Sequence, residues 1–158
     1  MLSEIFTDQH WKIDLLLGEF IKSLKENDQG VEELAELRKL LRSHIYLEES
    51  VIYPLVETNE NHNGINGLEV EHAGIFRLLD KIQLYIARND YVRATDRAEG
   101  LVRVLAAHNG KEVQTVYSVL DALPESEQAG IIDRIKQLGV PENWECKVLI
   151  RYSRRRST

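Results

Sequence analysis

The sequence predicts an all-α protein, an up-down-up-down four-helix bundle with a short fifth helix and a C-terminal extension. Three observations predict it: apolar residues recur at three- and four-residue steps over four long segments, the breaks between segments are short, and only three prolines and nine glycines interrupt 158 residues. Hydrophobic residues make up 43% of the chain, enough for one core. We expect the bundle to occupy residues 1–123 and a C-terminal helix with a basic tail to occupy residues 124–158.

Four amphipathic patterns mark the long helices. They cover about residues 7–26, 34–56, 68–87 and 91–122. The predicted breaks are "NDQG" at 27–30, the Asn/Gly-rich "TNENHNGING" at 58–67, and "RND" at 88–90. Pro54 lies near the end of the second pattern, where we expect it to kink the helix.

The C-terminal part carries two weaker patterns. "LPESEQAGIIDRIKQLG" has Pro124 at its start and Gly139 at its end, which favours a short fifth helix. After it, Val148, Ile150 and Tyr152 alternate with other residues. This alternation predicts a short extended segment that packs on the bundle or on another subunit.

Charge is distributed unevenly along the chain. The net charge is −6, and because residues 147–158 hold five basic residues and no acid, residues 1–146 carry −11. An acidic body argues against nucleic-acid binding, while the basic end is either a solvated terminus or a contact for phosphate or an acidic partner.

Cysteine content and hydropathy indicate the compartment. Cys146 is the only cysteine, so an internal disulfide and a thiolate metal cluster are excluded. The first residues lack the pattern of a signal peptide, and no window approaches the roughly 20 apolar residues of a membrane span. We expect a soluble cytoplasmic protein without a membrane partner.

Four of the five histidines fall at one height in the predicted bundle: His10, His44, His72 and His108. Two residues of an antiparallel helix pair lie level when they are equally distant from the turn between them. The first two are centred on residue 27 and the last two on residue 90, both inside predicted breaks. The fifth, His62, falls in a predicted loop, and we interpret it as a turn or surface residue.

Two glutamates join this layer. Glu48 follows His44 by four residues and Glu112 follows His108 by four, so each shares a helical face with its histidine. Burying two carboxylates without positive partners is costly. A dinuclear cation site removes that cost if each carboxylate bridges two metals and each metal takes two histidines. Such nitrogen and oxygen donors suit iron, manganese or zinc better than copper or calcium.

The same pattern occurs twice in the chain. The set His10, His44, Glu48 and Tyr53 maps onto His72, His108, Glu112 and Tyr117 by shifts of 62, 64, 64 and 64 residues. This repeat predicts a pseudo-twofold axis through the metal pair. The tyrosines lie nine residues after their histidines, about 180° around an ideal helix, so we expect them to pack under the helix ends.

Residues near the histidines are candidates for their outer hydrogen-bond partners. Asp14 lies one turn after His10, and Glu71 lies beside His72. Glu49 points about 100° away from Glu48 on a helix, so we place it on the helix surface or among these outer partners.

The chain resembles the hemerythrin-like family of histidine/glutamate cation-binding domains over about residues 4–123. The matching motifs are "TDQH" with His10, "HIYLEESVIYP" with His44 and Glu48, "EHAGIF" with His72, and "HNGKE" with His108 and Glu112. The resemblance implies a four-helix bundle around two iron ions, a non-haem di-iron centre bridged by the two carboxylates and an oxo or hydroxo group. Manganese or zinc are the alternatives.

One position departs from the oxygen-carrying members. These have a further histidine one turn after the third-helix histidine, where this sequence has Phe76. The four-histidine, two-glutamate set is similar to the di-iron domain of the repair-of-iron-centres proteins. This similarity implies binding of, or reaction with, O2, NO or peroxide, or supply of iron during stress and iron–sulfur repair.

Two other functions remain open from the sequence. The first is an oxygen, redox or iron sensor that signals through residues 124–158, a segment that would also suit a homodimer contact or a protein partner. The second is a metal-free helical interaction protein. Whether the centre catalyses a reaction is not fixed by the residues.

Overall fold

The computed structural model describes residues 1–26 and 28–156, and within these ranges all regular structure is helical. The helices are α1 (Leu2–Lys25), α2 (Val31–Leu47), α3 (Tyr53–Val56), α4 (His62–Ala87), α5 (Tyr91–Glu112), α6 (Ser118–Asp121), α7 (Glu125–Gln137) and α8 (Lys147–Arg156). Two π-helical turns, π1 (Glu48–Ile52) and π2 (Val113–Tyr117), join α2 to α3 and α5 to α6. Asn27, on which the first histidine pair is centred, lies outside the described residues.

Four long helical rods form the predicted bundle: α1, α2–π1–α3, α4 and α5–π2–α6. The first rod packs on α2 and α5, and α4 packs on α5. The short links between successive rods make neighbours antiparallel. The all-α four-helix bundle is therefore confirmed, and α7 supplies the short fifth helix. None of the described helices is long and apolar enough to cross a membrane.

The apolar core consists of two clusters that lie at different heights along the bundle. One includes Ile13, Leu41, Ile75 and Leu105, each three residues from a histidine. The other includes Leu2, Phe6, Leu47, Leu68 and Val116, together with residues of both π turns and α7. On each rod the histidine lies at or within one residue of the boundary between these clusters in sequence, so the polar layer separates two apolar halves.

Two helices begin at least five residues earlier than predicted because buried apolar residues extend their pattern. α1 starts at Leu2, and both Leu2 and Phe6 are completely buried. α4 starts at His62, inside the predicted 58–67 loop, because Ile65 packs in the core and burial of its side chain outweighs the weak helix propensity of Asn and Gly. The loop shrinks to a turn in which the Asn61 amide donates to the Val56 carbonyl at 2.8 Å.

The predicted extended segment is wrong: residues 147–156 form α8. The alternation of Val148, Ile150 and Tyr152 coexists with a helical spacing, since Val148 and Leu149 pack on the core while Tyr152 lies one turn later. Arg77 of α4 lies over the Tyr152 ring at 4.9 Å from its centroid. The prediction that this segment packs on the bundle is fulfilled by a helix, which contacts α4.

Candidate metal centre

Six buried side chains meet in the middle of the bundle. They are His10, His44, Glu48, His72, His108 and Glu112, the residues that the sequence places in one layer. Each of the four rods contributes a histidine. The glutamates lie at the junctions with the π turns, Glu48 as the first residue of π1 and Glu112 as the last residue of α5.

The four histidines form two pairs that face each other through their Nε2 atoms. His10 and His44 approach to 3.0 Å, and His72 and His108 approach to 3.1 Å. Two imidazole nitrogens with inward lone pairs repel at this distance unless a proton or another cation lies between them. Each pair is therefore an attractive position for positive charge.

Both carboxylates span the two histidine pairs. Glu48 places Oε1 at 3.0 Å from His44 Nε2 and Oε2 at 3.3 Å from His72 Nε2. Glu112 places Oε2 at 3.4 Å from His10 Nε2 and Oε1 at 3.3 Å from His108 Nε2. Two four-residue clusters result, and they share the two glutamates.

These residues fit a pair of cations. Glu48 Oε2 is buried and accepts no hydrogen bond from the described residues, an arrangement that costs free energy unless a cation binds the oxygen. The donor set is entirely imidazole nitrogen and carboxylate oxygen, which suits iron, manganese or zinc. The fit thus rests on an orphaned acceptor and on the chemistry of the donors.

Electrostatics give the same indication. Burial raises the pKa of the Glu48 carboxyl, but the adjacent His44 and His72 outweigh burial and hold that pKa well below its usual value. Burial lowers the pKa of the His72 imidazole, whereas the adjacent carboxylates of Glu48 and Glu49 outweigh burial and raise it to about 10. The carboxylates thus stay ionised, and the layer attracts positive charge.

Three histidines donate a hydrogen bond outward through Nδ1. The acceptor is Gln9 Oε1 for His44 at 2.7 Å. The remaining Nδ1 acceptors are Glu49 Oε1 for His72 at 2.8 Å and Glu71 Oε2 for His108 at 2.7 Å. An Nδ1–H that donates outward fixes the tautomer and directs the Nε2 lone pair into the layer.

The outer partners differ in part from the sequence-based candidates. Glu71 pairs with His108 across the bundle instead of with its neighbour His72. For the third candidate, Asp14, burial raises the carboxyl pKa and the charge of His10 opposes that rise. Sequence reasoning missed Gln9 as an outer partner. The repeat could have identified it, because a shift of 62 residues relates Gln9 to Glu71.

The repeat is not symmetric in these outer partners. The position that matches Glu49 under the 64-residue shift is Val113, which has no acceptor group. The pair formed by His72 and His108 is consequently backed by two carboxylates, while His44 is backed by a neutral amide.

The two tyrosines contact the centre, so the expectation that they face away from it is wrong. The Tyr117 hydroxyl donates to Glu48 Oε1 at 2.7 Å and lies 3.1 Å from His10 Nε2. The Tyr53 hydroxyl donates to Glu112 Oε1 and lies 3.2 Å from His72 Nε2. Burial and the nearby carboxylates raise the pKa of both hydroxyls, which keeps them protonated as donors.

The π turns explain this difference. The Tyr53 N–H donates to the Glu48 carbonyl, five residues earlier, so the residues five apart lie on one face as residues four apart do in an α-helix. Tyr117 follows Glu112 by the same five residues through π2. Pro54 accompanies only π1, and a proline-induced kink therefore does not account for both turns.

A small cavity adjoins the histidines. It is lined by residues of the apolar cluster that includes Ile13, whereas both tyrosines belong to the other cluster. Its volume is about 10 Å³, and its aliphatic lining includes Ile13, Leu41, Ile75 and Leu105. Phe76 is buried in the same apolar cluster, and His62 is exposed at the start of α4, with Nδ1 2.6 Å from Glu57 Oε1. The surface interpretation of His62 agrees with this position.

Comparison with known families adds one finding. The family model for hemerythrin, the hemerythrin HHE cation-binding domain, matches residues 1–120. No curated protein and no solved structure is significantly similar to the chain. The matched range includes all six side chains of the centre.

Proposed function

The chain belongs to the hemerythrin family of HHE cation-binding domains, and on this premise we propose that it is a dinuclear non-haem iron protein. The proposed ligands are His10, His44, Glu48, His72, His108 and Glu112. One metal would take the Nε2 atoms of His10 and His44, and the other those of His72 and His108.

The observation that carries the proposal is the span of the two carboxylates. Each glutamate offers one oxygen to each histidine pair, at 3.0–3.4 Å from an Nε2 atom. A monodentate acid beside a single histidine would not need this arrangement. Iron is proposed from family membership, and manganese or zinc would use the same donors.

When bound, an iron pair supplies redox chemistry and open coordination positions suited to O2, NO or peroxide. The chain orients the donors through Gln9, Glu49 and Glu71, and aliphatic residues line the small cavity beside the histidines. Phe76 offers no ligand where oxygen carriers have a further histidine. We therefore favour reaction with a small ligand, or supply of iron in iron–sulfur repair, over reversible oxygen carriage.

A second candidate function is a sensor of oxygen, redox state or iron. It is favoured by one observation: the Glu49 carboxylate is hydrogen-bonded both to His72 and to the first residue of the C-terminal helix, Lys147. A cytoplasmic location, and a homodimer or protein partner bound through residues 124–158, remain predictions of the sequence.

Metal analysis of the purified protein tests the main proposal. We expect about two irons per chain and an oxo-to-iron absorption band after exposure to air. Replacing Glu112 by Gln should cost one metal, since a bridging oxygen is lost, and His108→Ala should do the same. His62→Ala, a matched histidine change at the surface, should alter neither stoichiometry nor spectrum.

Two outcomes would contradict the proposal. Retention of both metals in the Glu112→Gln variant would refute the bridging role of that residue. A folded chain that takes up no metal, and whose unfolding temperature is unchanged by chelators, would support a metal-free helical interaction protein instead.

A further inference from the structure

The first residue of α8 is hydrogen-bonded to a partner of the candidate metal centre. We propose that Glu49 couples α8 to the centre, so that metal binding at His72 and docking of α8 stabilise each other. This inference rests on the proposed function, and it assigns Glu49 and the backbone of Lys147 as positioning groups.

One carboxylate makes the connection. Glu49 Oε1 accepts from His72 Nδ1 at 2.8 Å, and Glu49 Oε2 accepts from the Lys147 backbone N–H at 2.8 Å. The Glu49 side chain is only 5% exposed, so the carboxylate that accepts both hydrogen bonds is buried, whereas Lys147, the donor of the second, lies at the surface. A shift of α8 would therefore remove a partner of the group that orients His72.

Further contacts hold the same segment against the bundle. The Lys147 ammonium lies 3.1 Å from the carboxylate of Glu69, whose side chain is 5% exposed. Arg42 donates to the carbonyls of Pro141 and Glu142 at 2.6 and 2.9 Å. Cys146 is completely buried in the main apolar cluster. The start of α8 thus has a defined docked position, from which its N–H reaches Glu49.

The duplication makes this contact specific to one half of the protein. Val113 occupies the position that corresponds to Glu49, and a valine side chain accepts no hydrogen bond. The contact therefore distinguishes the pair His72 and His108 from the pair His10 and His44.

Thermodynamic linkage supplies the coupling. A cation on Nε2 makes the Nδ1–H of His72 a stronger donor, which holds the Glu49 carboxylate more firmly in the orientation that accepts from both His72 and Lys147. If this orientation strengthens the hydrogen bond from Lys147, then a docked α8 must strengthen metal binding by the same factor.

A single backbone atom allows a sharp test. Lys147→Pro removes the N–H that donates to Glu49, and proline is tolerated at the first position of a helix. The Ile150 N–H donates to the Cys146 carbonyl, so Cys146 caps the helix and need not be helical itself. Lys147→Ala is the matched control, because it also loses the ammonium contact with Glu69 but keeps the N–H.

The full-length chain is loaded with Fe²⁺ under anaerobic conditions, and hydrogen exchange is compared with and without the metal. We expect iron to slow exchange in α8 of the wild type and of Lys147→Ala, beyond any slowing in α7, which reports general stabilisation. In Lys147→Pro that extra protection should vanish. Chelator competition should show iron binding about tenfold weaker than in Lys147→Ala, the low end of effects from lost partners of metal-bound histidines.

The outcomes separate the two proposals. Iron uptake with α8 protection no greater than that of α7, or equal behaviour of the two Lys147 variants, overturns the coupling alone. A chain that binds no iron overturns the metal function and the coupling together. If circular dichroism shows that Lys147→Pro disrupts the fold, Glu49→Gln replaces it as the test variant. Its amide retains one oxygen to accept from His72 but turns an NH2 group towards the Lys147 N–H, which then has no acceptor. Coupling that persists in Glu49→Gln contradicts the inference.

Discussion

At the scale of single residues, each glutamate of the polar layer accepts a hydrogen bond from a tyrosine of the opposite half. Tyr117 donates to Glu48, and Tyr53 donates to Glu112. The donors fix which carboxylate oxygen faces which histidine pair. The tyrosines are thereby positioning residues that connect the two halves of the duplication.

Removing one of these hydroxyls should weaken the centre without unfolding the bundle. Tyr117→Phe keeps the ring in its apolar surroundings and deletes a hydrogen bond to a charged acceptor. We expect the affinity for iron to fall about tenfold, as is typical for loss of an outer partner. Chelator competition measures the change, and Tyr46→Phe, which alters a tyrosine that packs on Trp144, is the control. Equal affinities in both variants would contradict this role.

The buried ion pairs predict how stability of the metal-free protein depends on pH. The folded-state pKa of Glu48 lies below 4.5, so its contribution is present above pH 4.5 and is lost as pH falls towards the folded value. The pKa of His72 rises from 6.5 to about 10, so its contribution is full below pH 6.5 and is lost as pH rises through about 10.

Thermal unfolding of the metal-free protein, measured in the presence of a chelator, checks this prediction. The range of roughly pH 3–10 covers the titration of carboxyl and imidazole groups. The highest unfolding temperature should lie between pH 4.5 and 6.5, where both contributions are full. Glu48→Gln removes the buried charge and should flatten the acid side of the profile. A wild-type profile that stays level over the whole range would be incompatible with these ion pairs.

At the scale of elements, the two helical hairpins differ in how they support their histidines. Glu71 and Glu49 back His108 and His72, whereas Gln9 backs His44. A carboxylate partner makes an imidazole a more basic ligand than an amide partner does. The metal position at His72 and His108 should therefore bind more tightly than the other.

Stepwise metal titration tests this order. We expect the first metal to bind at least about ten times more tightly than the second, because the outer hydrogen-bond partners of metal-binding histidines typically change metal affinity by that factor. Glu71→Gln should reduce the difference between the two metal affinities by weakening binding at His72 and His108. Gln9→Glu should reduce it by strengthening binding at His10 and His44. Two identical binding steps in the wild type, or no effect of either exchange, would show that the halves are equivalent.

The elements also show how far sequence reasoning reaches. The repeat and the helical spacing of apolar residues predict the four rods, and level histidines predict which six side chains meet. Ile65 extended α4 into an Asn/Gly segment because burial outweighed local propensity. The π turns had no local signature, so the facing of Tyr53 and Tyr117 could not be obtained from an ideal helix. α8 was missed because Val148, Ile150 and Tyr152 fit two periodicities.

At the scale of the whole molecule, the polar layer interrupts the apolar core between its two clusters. All four rods contribute donors to this layer. A bound metal pair would therefore act as a cross-link among the rods, at a height where the inward-facing side chains are polar.

Removing the metals should accordingly lower stability of the entire fold. A ligand at 100 times its dissociation constant stabilises the folded state by about 2.7 kcal/mol per site, so chelation should lower the unfolding temperature by several degrees or more. Differential scanning calorimetry with and without chelator measures the effect. His72→Ala, which should lose one of the two metals, should respond less than the wild type, whereas an equal response would assign the stabilisation to metal bound elsewhere.

The cavity beside the histidines sets a condition on the speed of any small-ligand reaction. At about 10 Å³ it is at the limit of holding one water molecule, and aliphatic side chains from all four rods narrow it beside the histidines. A diatomic molecule that entered by this route would need Ile13, Leu41, Ile75 or Leu105 to change rotamer. Association would then be gated by internal motion, slower than diffusional encounter and more dependent on temperature than on solvent viscosity.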